Sequence, residues 1–208
     1  MSEPMRSPSG RKLHLRARAA RQAQTRQRIT QAAVELHQQR GPLHTTITAI
    51  AQRAGVERLT VYRHFPDEAS LHQACQQHFF AAHSPPNPAV WSAISAFPKR
   101  LDVGLSDLYG YWDQTQEMFS SVLRDHEVDP KRSGAGVVIF MSRARDALLD
   151  GQDVSGPGGL MLRAAVGHAV HFYTWRSLVR DQGLPNADAA RLMCRTIALA
   201  AEEGHSPI

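Results

Sequence analysis

Apolar residues recur at helical spacing along most of the chain, and no stretch alternates apolar and polar positions as a half-buried strand would. The clearest pattern lies between Thr45 and Phe65, in the run TTITAIAQRAGVERLTVYRHF. Its first half carries one apolar stripe, made of Ile47, Ile50, Ala51 and Ala54. Thr45 is predicted to cap this helix, because its side-chain oxygen can accept an unpaired backbone N–H. Gly55 is predicted to end the helix in the left-handed conformation.

A second short helix is predicted from Glu57 to Phe65, directly after a tight turn at Val56. Two short helices joined in this way form a helix-turn-helix, whose second helix enters the major groove of DNA. The outward positions of the second helix carry donors suited to phosphates and base edges. They include Arg58, Thr60, Arg63 and His64.

Two further helices are predicted to complete an N-terminal bundle. Helix one is expected from Thr25 to Gln39, where Ile29, Ala32, Ala33 and Leu36 form an apolar stripe ended by Gly41-Pro42. Helix four is expected to follow Pro66, with Asp67 as its cap. Leu36, Ile50, Val61 and Phe65 are predicted to form a small core.

Beyond the proline-rich segment 84–88, the chain continues to show only helical periodicity. Pro98 is predicted to open a helix, and further helices are expected over 134–149, from Pro157 to Asp181 as the longest one, and from a cap at Asn186. The predicted fold class is therefore all-α, with an N-terminal three-helix bundle containing the helix-turn-helix and a C-terminal domain of antiparallel helices. The expected boundaries are 1–24 for a disordered arm, 25–82 for the helix-turn-helix domain with helix four, and 83–208 for the helical C-terminal domain.

Charge is distributed unevenly between these parts. Residues 1–72 hold twelve Lys or Arg against five Asp or Glu, a net charge of +7, whereas the remainder carries −2 of the overall +5. Positive charge thus gathers where DNA contact is predicted, as counterion release favours. A solvated, solubilising charge run is the alternative explanation for the arm. If the arm instead orders on DNA, its deletion will reduce the salt dependence of binding.

Several classes of protein lack support in the sequence. No apolar run is long enough to span a membrane, and the N-terminus has no apolar signal core, so we expect a cytoplasmic protein without membrane contact. No catalytic motif such as GxSxG, a P-loop, HExxH or CxxC occurs, so neither an enzyme nor a cofactor is predicted. His168 and His171 are three residues apart but lack a third ligand of suitable spacing, so no metal site is predicted.

The segment from Thr25 to Cys75 resembles the tetracycline-repressor (TetR) family of bacterial transcription regulators. The resemblance rests on TTITAIAQRAGV, then TVYRHF, then a proline and a helix beginning DEASL, in this order and spacing. Two positions depart from the family pattern: Leu59 stands where a small residue is usual, and Glu68 where a phosphate-binding lysine is common. We expect Leu59 to alter base readout and Glu68 to remove one backbone contact.

The resemblance implies a set of residues that bind DNA. Arg58 and Arg63 are candidates for base edges, because arginine fits the O6/N7 edge of guanine. Leu59 is expected to contact a thymine methyl group or the groove wall. The complete predicted set is Thr45, Thr46, Arg58, Leu59, Thr60, Tyr62, Arg63 and His64. Two alternatives stay open: Tyr62 as a core aromatic residue, and His64 as a surface histidine without a role.

The resemblance also implies a homodimer and a small-molecule effector. In the family, the last two helices of each subunit form a four-helix bundle, and small residues such as Ala164, Ala165, Gly167 and Ala169 suit close helix approach here. Packing within one subunit is the alternative. A mainly apolar effector cavity is implied in the C-terminal domain. Its candidate residues are Trp112, Phe119, Phe140, His168, His171, Phe172 and Trp175, and for each aromatic a core role is the alternative.

The function predicted from the sequence is that of a homodimeric repressor, which a small and mainly apolar ligand releases from double-stranded operator DNA. An activator or a ligand-independent DNA-binding protein of the same fold is the alternative. A non-specific basic DNA-packaging protein is disfavoured, because the acidic and apolar C-terminal part has no use in charge neutralisation.

Overall fold

The computed structural model of the protein describes residues 8–203, with side chains for residues 14–202, and within this range it contains helices and no strand. This confirms the predicted all-α fold class. The α-helices are α1 (Pro8–Arg40), α2 (Ile47–Ala54), α3 (Arg58–His64), α4 (Glu68–Ala82), α5 (Pro88–Ser92), α6 (Phe97–Val128), α7 (Ala135–Leu148), α8 (Gly156–Ala169), α9 (Phe172–Arg176) and α10 (Asn186–Glu203). A π-helical turn, Ser177–Asp181, follows α9.

The chain forms two compact units, Met1–Ala82 and His83–Ile208. In the N-terminal unit, α1 packs against α2 and α4, and α3 packs against α2. All four residues of the predicted small core are buried, with exposed fractions of at most 2%. The buried side of α4 adds Leu71, Cys75 and Phe79 to this core.

Helix α1 begins at Pro8, well before its predicted start at Thr25. The predicted disorder of residues 1–24 is therefore wrong for residues 8–24, while residues 1–7 lie outside the described part. The segment between Arg11 and Gln24 contains neither proline nor glycine and is rich in Ala, Arg and Gln, which are strong helix formers. Because packing nucleates the second half of the helix, extension into solvent adds a hydrogen bond per residue without a new nucleus.

The cap of α2 lies one residue later than predicted. The side-chain oxygen of Thr46, not that of Thr45, accepts the N–H of Ala49 at 3.2 Å. Thr45 instead donates its hydroxyl to the carbonyl of Gly41 at 2.8 Å, which closes the turn after α1. Gly55 ends α2 at φ +65° as predicted, and Val56 then donates to Ala51.

The C-terminal unit is organised around α6, which packs against α5, α7, α9 and α10, while α8 lies against α7 and α10. Helix α6, for which the sequence analysis predicted a start at Pro98, runs without a break from Phe97 to Val128. The buried guanidinium of Arg100 donates to the carbonyls of Ile94 at 2.8 Å, Leu148 at 3.3 Å and Asp150, and so holds two loop segments against α6. None of the described helices is long and apolar enough to cross a membrane.

Two predictions for the last helices are wrong. The helix expected from Pro157 to Asp181 breaks at Val170, and His171 caps a separate α9 by accepting the N–H of Tyr173 at 3.3 Å. Helix α9 then continues directly into the π-helical turn Ser177–Asp181. Asn186 does not act as a cap either, because its side-chain oxygen accepts the indole N–H of Trp175 at 2.9 Å.

Candidate nucleic-acid interface and C-terminal cleft

The outward face of α3 carries the residues predicted to contact bases. Arg58 and Tyr62 lie one helical turn apart, as do Leu59 and Arg63, and all four are exposed. Tyr62 is 43% exposed and Leu59 is 55% exposed, so neither belongs to the core. The open alternative of a core Tyr62 therefore does not hold. This face therefore presents two guanidinium groups, one phenol hydroxyl and one apolar side chain. Such groups are suited to phosphates, base edges and thymine methyl groups.

The remaining predicted residues border this face. Thr60 and His64 are half-buried at the flank of α3, and Thr46 is exposed at the N-terminus of α2. Because Thr46 uses its oxygen as the cap of α2, its hydroxyl hydrogen stays available to a phosphate. Thr45 is half-buried, and its hydroxyl already donates to Gly41. The structure thus gathers seven of the eight residues as candidate contacts and gives Thr45 a role in the turn.

Two arginines outside the predicted set fix α1 to the C-terminal end of α3 and to the end of α2. The guanidinium of Arg26 lies 4.0 Å from the ring centroid of Phe65, and its Nη1 donates to the carbonyl of His64 at 2.6 Å. Arg28 donates to the carbonyl of Ala54, and to that of Gly55 at 3.2 Å. Both carbonyls belong to the end of α2, so these bonds set the position of the turn that leads into α3.

Arg53 is a further cation outside the predicted set. Its Nη1 pairs with Glu35 at 3.0 Å, and its Nη2 donates to Gln39 at 3.0 Å. Hydrogen bonds from Gln31 and Arg53 lower the pKa of the Glu35 carboxyl. Arg53 therefore ties α2 to α1. Its partners lie fourteen and eighteen positions earlier in the chain, so no local sequence pattern reveals the link.

The predicted pocket aromatics of the C-terminal unit form a packed cluster. The ring of Trp112 makes edge-to-face contacts with Phe119 at 5.1 Å, Phe172 at 5.6 Å and Phe140 at 5.9 Å between centroids. Trp175 packs against Phe172 at 5.4 Å. Phe140 is half-buried, whereas the other four rings are buried. In this structure these residues therefore occupy core positions, which was the alternative left open for them.

The two predicted histidines line a cleft of about 610 Å³ beside α8, α9, the π-helical turn and α10. His168 shares a hydrogen bond with the hydroxyl of Thr174 at 3.3 Å. Burial and the neighbouring His168 lower the pKa of His171, and the carboxylate of Glu127 opposes this shift. The full lining consists of Gly167, His168, His171, Tyr173, Thr174, Ser177, Leu178 and Met193. Apart from the two histidines, these residues were absent from the predicted set, because the break after α8 brings them together.

Metal ligation finds no geometric support in the part of the chain that the structure describes, where no three His, Cys, Asp or Glu side chains come close enough to hold an ion. The two cysteines are unpaired with each other: Cys75 is buried and Cys194 half-buried. Burial raises the pKa of the Cys75 thiol to about 12, so this thiol stays protonated at neutral pH.

Comparisons with known proteins agree on the N-terminal unit and on the fold. Residues 29–75 match the family model described as bacterial regulatory proteins, tetR family. The fold is similar to the crystal structure of a tetR-family transcriptional regulator from Streptomyces coelicolor, with a TM-score of 0.60 and 22% sequence identity over 88% of this chain and 82% of that chain. No curated protein sequence matches the chain. The matched segment runs from α1 to α4 and includes the exposed face of α3.

Proposed function

We propose that this chain, whose residues 29–75 match the family model of the tetR regulators, is a DNA-binding transcription regulator of that family. We propose further that it is a cytoplasmic, homodimeric repressor that a small, mainly apolar ligand releases from operator DNA. The main structural support for DNA binding is the exposed face of α3. Arg58 and Arg63 stand there as bidentate donors, and α1 and α2 hold α3 from behind. No catalytic activity is part of this proposal.

The dimer is supported by an apolar face on the last helices. Leu160 and Met161 on α8 and Leu192 and Leu199 on α10 are exposed, with Leu160 at 64% and Leu199 at 61%. Ala164 is also exposed, one turn after Leu160 on α8, and its small side chain permits a close approach of helices from a second copy. Ala169 and Phe172, by contrast, pack within the subunit. Two recognition helices must reach half-sites about 34–36 Å apart, or a multiple of that distance, which a dimer achieves and a monomer does not.

The cleft beside α8, α9 and α10 is the proposed effector site. It has the size of a small-molecule pocket, and imidazole and hydroxyl groups stand among apolar side chains in its lining. The ligand will release the operator only if it binds the DNA-free conformation more tightly, and operator will then weaken ligand binding by the same factor. In the proposed mechanism, α4 tilts and the two recognition helices lose the half-site spacing.

The packed aromatic cluster favours one alternative. Trp112 and Phe172 are buried in mutual contact, so these rings serve as packing in the core of the C-terminal unit. A ligand-independent DNA-binding protein of the same fold is consistent with this observation. The test measures operator affinity in the presence of small molecules that are known to bind the cleft. If none of them changes the affinity, the ligand-independent alternative is favoured over the inducible repressor.

Genomic selection tests the proposal directly. Fragments of the source genome are bound to the full-length protein, and the enriched sequence is compared with a scrambled duplex of the same length at fixed salt. We expect a preference of at least about 10³-fold for a site with two-fold symmetry. Equal binding to both duplexes would overturn the proposed function. Sedimentation of the complex then gives the number of protein copies on each duplex, with two expected.

A further inference from the structure

We propose that the N-terminal extension, defined as residues 14–24 of α1, is a second, preformed DNA-binding surface that contacts the phosphates flanking the bases read by α3. The proposal rests on the DNA-binding function proposed above. It differs from a disordered arm that folds on DNA, because the structure gives this segment a helical conformation in the absence of DNA.

The extension is exposed along its entire length. Every residue from His14 to Gln24 is exposed, and from His14 onward the first buried residue is Ile29. Four alanines, Ala17, Ala19, Ala20 and Ala23, favour the helix without contributing a packing surface. The segment therefore keeps its helical propensity although it adds nothing to the core of the N-terminal unit.

Charge identifies the partner as a polyanion. The extension carries Arg16, Arg18 and Arg21, and between Pro8 and Val34 the chain has seven Lys or Arg and no Asp or Glu. An acidic side chain next to the arginines would have neutralised the surface. Glu35, which lies further along α1, does this for Arg53 of α2. Duplex DNA places one negative charge per about 1.7 Å of its axis, which rewards a row of cations with counterion release.

The position of the extension relative to α3 is set by two arginines that bind α1 to the helix-turn-helix. Arg26 holds the C-terminal end of α3, and Arg28 holds the turn before it. Since α1 is one uninterrupted helix from Pro8 to Arg40, the extension starts beside α3 and its orientation relative to α3 is fixed. At 1.5 Å per residue it is about 15 Å long. This length is comparable with the about 12 Å width of the major groove, so phosphates at the edge of the groove that α3 enters are within the reach of an extension that points towards the DNA.

The test uses the full-length protein and its selected operator, with affinity measured by fluorescence anisotropy between 50 and 200 mM salt. The triple variant Arg16→Gln, Arg18→Gln, Arg21→Gln removes three charges and keeps good helix formers. We expect the log–log salt slope to become shallower by about 0.9 for each phosphate that the variant no longer neutralises, hence by about 2–3. The preference for operator over scrambled DNA should change little, because phosphates carry no sequence information.

A matched control removes the same three charges from exposed positions of the C-terminal unit, through Lys131→Gln, Arg143→Gln and Arg176→Gln. We expect its slope to equal that of the parent. If both triples change the slope equally, general charge is responsible and the proposal is overturned. On a duplex trimmed to the bases contacted by α3, the two triples should bind alike, because the flanking phosphates are absent.

A third variant tests whether the helix must be preformed. Ala17→Gly, Ala19→Gly and Ala20→Gly keep every charge but weaken the helix. We expect at least several-fold weaker binding to the full operator, with less helix by circular dichroism. Parental affinity despite the weakened helix would overturn preformation. An unchanged slope in the arginine variant, with operator preference intact in the parent, would overturn only this inference; a parent without operator preference would overturn the proposed function itself.

Discussion

The guanidinium of Arg26 lies 4.0 Å over the ring of Phe65, the residue that ends α3 and closes the core of the N-terminal unit. The same guanidinium donates to His64, so one side chain of α1 fixes both the last carbonyl of the recognition helix and the aromatic residue behind it. The position of α3 thus depends on a residue that lies outside the helix-turn-helix itself.

Replacing this arginine should destabilise the N-terminal unit. We expect Arg26→Ala to cost about 1–2.5 kcal/mol, from about 0.5–1 kcal/mol for the ring contact and about 0.5–1.5 kcal/mol for the hydrogen bond. Urea unfolding followed by circular dichroism measures the change. Gln22→Ala, an exposed change on the same helix, serves as the control and should stay within about 0.5 kcal/mol of the parent. Equal effects of the two changes would show that the contact contributes nothing.

Gly55 is required by the turn that joins α2 to α3. Its φ of +65° is strained for any residue with a Cβ, and an added Cβ would lie 3.2 Å from Nη2 of Arg28. Gly55→Ala should therefore cost about 1–2 kcal/mol. Gly110→Ala provides the opposite case, because Gly110 lies within α6 with open space around it, and it should stabilise by about 0.5–1 kcal/mol. Changes of the same sign in both variants would contradict these expectations.

Arg58 should contribute both affinity and base preference. We expect Arg58→Ala to weaken operator binding by about 1–3 kcal/mol and to relax the preference at one base position in each half-site. Binding to a set of operators with single base changes measures both effects. Arg143→Ala, an exposed change in α7, is the control. Uniform weakening over the whole set would instead assign Arg58 to a phosphate.

Two tyrosines on α6 should respond in opposite ways to the removal of a hydroxyl. Tyr109 donates to the carbonyl of Ala169 at 3.0 Å, whereas the buried Oη of Tyr111 has no partner among the described residues. Tyr109→Phe should cost about 1–2 kcal/mol, and Tyr111→Phe should be neutral or stabilising by up to about 1 kcal/mol. Trp91, Trp112 and Trp175 all lie in the C-terminal unit, so tryptophan fluorescence during urea unfolding reports on that unit alone. A cost at Tyr111 equal to that at Tyr109 would reveal an ordered partner for its hydroxyl.

Stability of the C-terminal unit should fall in acid because of His171. Its pKa is lower in the folded state than the about 6.5 of an exposed histidine, so the unfolded chain binds the proton first. The stabilising contribution is complete above about pH 6.5 and disappears as the pH falls through the folded pKa. His171→Asn keeps an acceptor for the N–H of Tyr173 but cannot titrate. The urea midpoint should then decline less between pH 8 and pH 5; an identical decline would exclude His171 as a source.

The helix-turn-helix was predictable because its signals are local. A stripe of four apolar residues, Gly55 and the turn at Val56 predict two short helices, and the structure contains both, as α2 and α3. The cap of α2 was predicted one residue too early, because Thr45 and Thr46 are equally good N-cap residues. The structure decides between them: Thr46 accepts the N–H of Ala49, whereas Thr45 donates to the carbonyl of Gly41. The exposed face of α3 followed from the same local pattern.

The C-terminal unit was harder to predict because its exceptions depend on distant contacts. The break after Ala169 follows a continuous helical pattern, and it becomes visible only when His171 caps α9 and Trp175 binds Asn186. The same break moves the cleft away from the aromatic cluster. For α1, the extension into solvent was missed because low apolar content suggested disorder, although Ala, Arg and Gln favour a helix that packing has already started.

The buried side chain of Arg100 couples two separate stretches of the C-terminal unit to each other. Its guanidinium donates to carbonyls from two stretches of chain, residue 94 and residues 148–150. Releasing one stretch alone would leave a buried cation with only one or two of its three carbonyl acceptors. The ends of α5 and α7 should therefore open as a single cooperative event, and their amides should exchange with deuterium at a common rate.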